Sequence, residues 1–314
     1  MERVAIQNLK ERKAMLFSNM IGLGDLLYHT PTIRYLANIF ERVDLWTYYL
    51  EPFFRNPAVG KMYKVLDKNI PEPGHFYFDK CFFVGKVPKP IRHENCHTVD
   101  YVSVTALGIE LQDKDKHLEF RISPKTYGKM WELVHRECPH GYVVLHPAIG
   151  WKSRTLPEEF YVELTEWLKK KGYEVVLVGK ECRPNYKDAD DINDKEVKTV
   201  YKGEWIKDCV NLMDKLTVEE TAAVLDMADF AVLGETGLNP LAACTRVPYV
   251  YIPQLMPPEF RICFRGGVFG RDVSVVKRQG IYPSQDHTQN LVLSELPAWV
   301  PAMDDVFEAF ERLE

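Results

Sequence analysis

Two short apolar runs, Tyr142–His146 and Glu174–Val178, flank a single helix pattern from Pro157 to Lys171. Strands this short and this continuously apolar belong in a sheet covered on both faces, and a helix between them points to parallel pairing. The helix is fully punctuated: Pro157 at its first position, Glu158 and Glu159 in the first turn, Lys169–Lys171 in the last, and Gly172 beyond. The alternation then repeats. Thr217-Val218-Glu219-Glu220 is a capping box opening a helix to about Met227, Phe230–Leu233 is a strand, Gly237–Cys244 a helix and Pro248–Ile252 a strand. A doubly wound α/β half results, and ligands of such sheets bind at the carboxyl ends of the strands.

The first half shows the same grammar less clearly. Ala14–Phe17 is a strand, Ser18–Gly24 a turn, and a helical pattern runs from Asp25 to Phe40. Pro31 interrupts it because proline has no N–H to donate, and Thr30-Pro31 suits an N-cap followed by the first helical residue. Val43–Tyr49 and His75–Val84 read as strands, His97–Leu107 as a helix and Asn69–Gly74 as a loop. Pro124 opens a helix ending near Glu137, and Cys138-Pro139-His140-Gly141 breaks it. The domain boundary is set there, giving residues 1–138 and 139–300. The last helix, about Ala302–Leu313, lies in a third segment, 301–314, expected to pack back on the first domain. Polar Glu181–Asp194 reads as a surface excursion.

A chain of 314 residues can bury two such cores. With 46% hydrophobic and 27% charged residues and a net charge of −5, it has no general attraction to nucleic acid or anionic lipid. The opening residues lack the apolar stretch of a signal peptide, and no run approaches the ~20 apolar residues of a membrane span. Seven scattered cysteines form no Cys-x-x-Cys pair, so neither a zinc site nor a disulfide framework is expected. A cytoplasmic protein, at most peripheral to the inner membrane, is the expectation.

Three turns between strand and helix are candidates for chemistry. Gly22-Leu23-Gly24-Asp25 begins like a dinucleotide fingerprint, but its third glycine position is Leu27, which argues against NAD. What remains is a tight turn with a carboxylate at a helix start, and on this segment alone capping explains Asp25 better than catalysis does. The second turn lies within His146–Leu156. Lys152 and Arg154 there suit a diphosphate, as a point charge and a bidentate fork, or simply form a solvated basic loop. The third, Gly234-Glu235-Thr236-Gly237, precedes an apolar helix whose first N–H groups suit an anion, although Thr236 also suits an N-cap.

Taken together, these stretches resemble glycosyltransferase family 9, the heptosyltransferases. Ser18–Pro31 is similar to the family's opening motif, a glycine-aspartate pair followed by Thr-Pro. His146 through Phe160 is similar to its strand-end histidine and basic residue ahead of a Trp-Pro. Leu216–Pro248 is similar to its Asp-Ser-Gly-type turn and alanine-rich helix. The resemblance implies a GT-B fold, two Rossmann-like domains facing each other across a cleft, and inverting, metal-independent transfer from a nucleotide sugar, with no cofactor. It puts Asp25 at the base position, Arg154 at a phosphate-binding position with Lys152 beside it, and Glu235, Thr236 and Gly237 on the turn holding donor sugar and phosphate. Gly22 and Gly24 form the glycine turn of the first domain. With Asp25 in one domain and Arg154 and Glu235 in the other, catalysis would depend on closure. The acceptor implied is a glycan or lipopolysaccharide core, with modified DNA a lesser alternative.

The sequence departs from the family where Glu235 replaces aspartate, Thr236 serine, Pro240 histidine and Leu156 tryptophan. A longer acid and a missing imidazole imply a sugar smaller than heptose, a hexose or pentose held partly by Glu235. Two other readings compete: a GT-B epimerase of nucleotide sugars, and a degenerate nucleotide-sugar-binding protein.

Overall fold

A computed structural model describes residues 12–18, 20, 22–64, 80–84, 96–147, 152–180, 206–278, 282–285, 296 and 298–314. The chain divides into two compact units, 1–121 with 259–271, and 122–258 with 272–314.

The first unit opens with β1 (Lys13–Ser18), α1 (Leu23–Leu27) and α2 (Thr30–Ala37). It continues with β2 (Arg42–Thr47), β3 (Val59–Lys64), β4 (Lys80–Val84) and α3 (Thr98–Leu107). The sheet order is β3-β2-β1-β4, with every pair parallel. β1 is central and buried along all but its first residue, as its apolar run requires. Because β2 and β4 lie on opposite sides of β1, the turn after β1 sits where the winding reverses. One row of rings crosses the whole sheet in register: Tyr63 and Trp46 (5.7 Å), Trp46 and Phe17 (6.1 Å), Phe17 and Phe83 (4.8 Å). On the other face Phe40 meets Phe82 edge-on at 5.9 Å.

The start of α2 differs from the sequence expectation. His29, ahead of Thr30, is itself helical (φ −81°, ψ −20°), so the chain runs from α1 into α2 without an extended cap residue. The Thr30 hydroxyl instead donates to the Leu27 carbonyl at 2.9 Å and accepts from the Glu119 N–H at 3.0 Å.

The second unit begins with α4 (Pro124–Glu137), β5 (Tyr142–Leu145), α5 (Glu158–Lys170), β6 (Glu174–Leu177) and β7 (Val210–Asn211). α6 (Val218–Met227), β8 (Phe230–Gly234), α7 (Leu238–Ala243) and β9 (Tyr249–Ile252) follow. The chain then forms α8 (Pro258–Arg261) and a hairpin of β10 (Phe264–Arg265) and β11 (Val268–Phe269). β12 (Val273–Val275) and α9 (Met303–Glu311) end it. The sheet order is β12-β9-β8-β5-β6-β7, again parallel throughout. The capping box at Thr217 and Glu220 forms in both directions.

The domain limits differ from the sequence reading in three places. α4 belongs with the second unit: the Ser123 N–H donates to Glu219 at 2.6 Å, and Lys129 pairs with Glu220. The division therefore precedes α4 instead of following Cys138. Residues 259–271 belong with the first unit. There Tyr28 donates to the Arg261 carbonyl (2.8 Å), the His97 Nε2 to that of Ile262 (2.8 Å) and Thr98 to that of Phe260 (3.2 Å). Finally, α9 completes the second core and does not return to the first unit. Val306, Ala309 and Phe310 are buried in that core, and Phe307 stacks on Trp167 at 4.2 Å.

Part of the expected strand at His75–Val84, the Asn69–Gly74 loop and the Glu181–Asp194 excursion lie outside the described residues. Among the described residues no helix is long and apolar enough to cross a membrane.

Candidate functional site

Ser18 ends β1, and its hydroxyl accepts from the Met20 N–H at 3.2 Å, starting the turn. Gly22 is the N-cap of α1, and Asp25 lies in the helix's first turn, half-buried. A Cβ at Gly22 would stand 2.7 Å from the Asp25 Oδ2, so glycine is what lets this carboxylate fold back over the turn. Gly24 is buried within α1. Asp25 is thus a first-turn acid and not the cap, which removes one structural explanation for it. Its own carbonyl accepts from the Nδ1–H of His29 at 2.8 Å. His29 is buried, and desolvation pulls its pKa down to about 4, so the ring is neutral.

In the second unit, β5 and β8 are neighbours, yet β5 leads through α5 to β6 on one side and β8 through α7 to β9 on the other. Their carboxyl ends form the reversal point of this sheet. His146 follows β5; its carbonyl accepts from the Tyr161 hydroxyl at 3.3 Å, and burial lowers its pKa to about 4. The ring fills the space beside Gly179 (φ +120°), where a Cβ would collide with it.

Lys152–Arg154 forms a 3₁₀ turn on the same loop. The Arg154 guanidinium lies 2.9 Å from the Glu235 Oε1, so the turns after β5 and β8 meet through an ion pair. By its direction this contact is an ion pair and not a hydrogen bond. The other oxygen of Glu235 accepts from three successive N–H groups, those of Gln254 (3.4 Å), Leu255 (2.8 Å) and Met256 (2.9 Å). With 4% of its side chain exposed, Glu235 does not extend into an open pocket, as its extra methylene suggested from sequence. The inference of a smaller sugar therefore loses one of its two premises; the other, Pro240, is buried in α7.

Thr236 and Gly237 are spent on local structure. The Thr236 hydroxyl accepts from the Leu238 N–H (3.1 Å) and its carbonyl from the Asn239 N–H (3.2 Å), while Gly237 is the N-cap of α7. Those two amides are already satisfied, which weakens the expectation of an anion site at this helix start.

Sequence reasoning missed the segment after β9. Gln254 forms two bonds with the Trp299 backbone (3.0 and 2.9 Å), and its carbonyl accepts from Arg278, whose guanidinium lies over the Trp299 (5.5 Å) and Tyr282 (5.4 Å) rings. Pro253-Gln254 directly after a buried strand was the available signal. Two Asp-x-Asp spacings, a pattern metal-dependent glycosyltransferases commonly use, also occur in the sequence. Asp113 of the first pairs with Lys116 at 3.2 Å, and Asp188–Asp190 lies outside the described residues. Among the described residues no group of three or more His, Cys, Asp or Glu side chains is placed to hold a metal ion.

Residues 81–253, more than half of the chain, match the sequence profile of glycosyltransferase family 9 (heptosyltransferase). That stretch contains His146, Lys152, Arg154 and Glu235–Gly237; Asp25 precedes it. No curated protein matches the sequence. Among solved structures, the fold is similar to that of a family 9 glycosyl transferase from Veillonella parvula, at 13% identity over 96% of this chain and 97% of that one, TM-score 0.67. It is also similar to E. coli ADP-heptose lps heptosyltransferase II (15% identity, 96% and 98% covered, TM-score 0.63). A third similar structure is the iron-containing dodecameric glycosyltransferase TibC of enterotoxigenic E. coli (16% identity, 97% and 76% covered, TM-score 0.67). At these identities the likeness is one of fold, the GT-B fold.

Proposed function

Because the chain belongs to glycosyltransferase family 9, the heptosyltransferases, we propose that it moves a sugar from a nucleotide-sugar donor to an acceptor hydroxyl with inversion and without a metal ion, Asp25 serving as base. The observation that carries this reading is the meeting of Arg154 with Glu235 at the reversal point of the second sheet. Asp25 occupies the equivalent position in the first sheet.

Each residue has a physical task in this scheme. As the bond from the anomeric carbon to the diphosphate breaks, negative charge grows on the leaving nucleoside diphosphate. The Arg154 guanidinium answers it, with Lys152 on the same turn. The acceptor oxygen attacks the opposite face of that carbon, and its proton passes to the Asp25 carboxylate, which Gly22 allows to fold over the turn. Neutral His146 and Gly179 shape the end of β5 without adding charge beside the phosphates.

ADP-heptose, the donor in the name of one similar E. coli protein, is the first donor to test, and a glycan of the lipopolysaccharide-core type the first acceptor. The purified chain would be mixed with ADP-, UDP- and GDP-sugars and such an acceptor, and the products read by mass spectrometry. Transfer with release of one nucleoside diphosphate is expected, and EDTA leaves the rate unchanged. An isomerised sugar would instead identify an epimerase, and binding without turnover a binding protein.

A further inference from the structure

We propose that Glu235 positions the phosphate-binding Arg154 and the segment 254–256, and is not a ligand of the donor sugar. The inference rests on the donor-site reading above and assigns one of its residues a different task.

The register of the sheet explains why a glutamate is needed. Gly234 of β8 pairs with Ile252 of β9, so Glu235 leaves its strand level with Pro253. Adjacent strands lie about 4.8 Å apart, and the amides of Leu255 and Met256 lie further along the neighbouring chain. The extra methylene of glutamate adds about 1.5 Å of reach. The longer acid thus spans the strand spacing and gathers three consecutive N–H groups on one oxygen. A charge this deeply buried needs a cation as well, and Arg154 supplies it through the other oxygen. One oxygen is thus engaged by backbone and the other lies against the guanidinium, and at 4% exposure little of the carboxylate is open to a sugar hydroxyl.

The consequence for ligands is specific. The ion pair keeps the guanidinium beside the turn after β8, where a diphosphate can meet it, and removing the carboxylate's charge releases it. Glu235→Gln preserves size but cannot satisfy both the amide cluster and Arg154, since its NH₂ group must face one of them.

Calorimetry with ADP, UDP and GDP and their nucleosides would first find the base that wild type prefers. Glu235→Gln is then expected to lower affinity for that nucleoside diphosphate roughly tenfold, with nucleoside affinity unchanged. The losses in Glu235→Gln and Arg154→Ala should be non-additive in the double variant. Arg154→Lys, which keeps a charge, should recover part of the loss. A folded Glu235→Gln that binds the diphosphate normally while its KM for the nucleotide sugar rises would overturn the proposal in favour of a sugar contact, and additive losses would overturn it too.

Should Glu235→Gln fail to fold, amide hydrogen exchange on wild type decides. Protection at Leu255 and Met256 is expected without any ligand, and exchange as fast as in an open loop sinks the inference. Wild type that binds no nucleoside diphosphate and transfers no sugar would remove the donor-site reading itself, whatever those amides show.

Discussion

Asp25 can be tested cleanly because it is a first-turn acid of α1 and Gly22 is the cap. Loss of its charge removes only a helix-dipole interaction of about 0.3–1 kcal/mol, so Asp25→Asn should melt within a few degrees of wild type. Its turnover should fall by ~10²-fold or more while donor affinity stays put, as loss of a general base requires. Single-turnover assays beside a thermal melt would check this, and near-normal turnover in a folded variant removes Asp25 from the mechanism. His29, His97 and His146 behave differently, since burial lowers each pKa to about 4 from an ordinary 6.5. Between those values the unfolded chain binds protons that the native state refuses, so stability is intact above pH 6.5 and is lost as pH falls toward 4. The shift corresponds to up to about 3 kcal/mol per histidine. Urea midpoints at pH 7.5 and 5 should differ accordingly. His97 also caps α3, accepting from the Val99 N–H at 3.1 Å. His97→Asn keeps a capping acceptor but cannot titrate in this range, and should flatten part of the slope; an unchanged slope would exclude His97 as a contributor.

α9 contributes to the second core through Phe310, which lies 4.8 Å from Phe230 and edge-on to Trp167 at 5.4 Å. Phe310→Ala should cost about 3–5 kcal/mol by urea unfolding. A loss below about 1 kcal/mol would show that this helix is not part of the core. The sequence announced the helix but not where it packs, because a helix's apolar stripe does not name its partner. The same limit explains the other differences. Strands β5, β6, β8 and β9 were legible because each is a continuous apolar run with helix signals beside it. β3, a half-exposed edge strand reading Val-Gly-Lys-Met-Tyr-Lys, offers neither a run nor an alternation. At the site, the turns carrying Asp25, Arg154 and Glu235 were legible from their places between strand and helix. The direction of the Glu235 side chain was not, since its partners are backbone amides of the neighbouring strand's exit, and an amide leaves no trace in residue identity.

At the scale of the molecule, neither unit is a continuous stretch of chain. Residues 122–258 lack β12 and α9, and residues 1–121 lack the segment that accepts from Tyr28 and His97. A fragment ending at 258 should therefore show no cooperative thermal transition, whereas 122–314 should show one; a sharp transition in the shorter fragment would mean that β12 and α9 are dispensable. The interleaving also fixes a timetable for a chain emerging from a ribosome. The first unit, although its strands are made first, cannot be completed until residue 271 has been synthesised, well after residue 121. At 5–20 residues per second that is a wait of roughly 8–30 s. During it, the carbonyl partners of Tyr28 and His97 do not yet exist, and the half-built first unit must outlast the synthesis of most of the second.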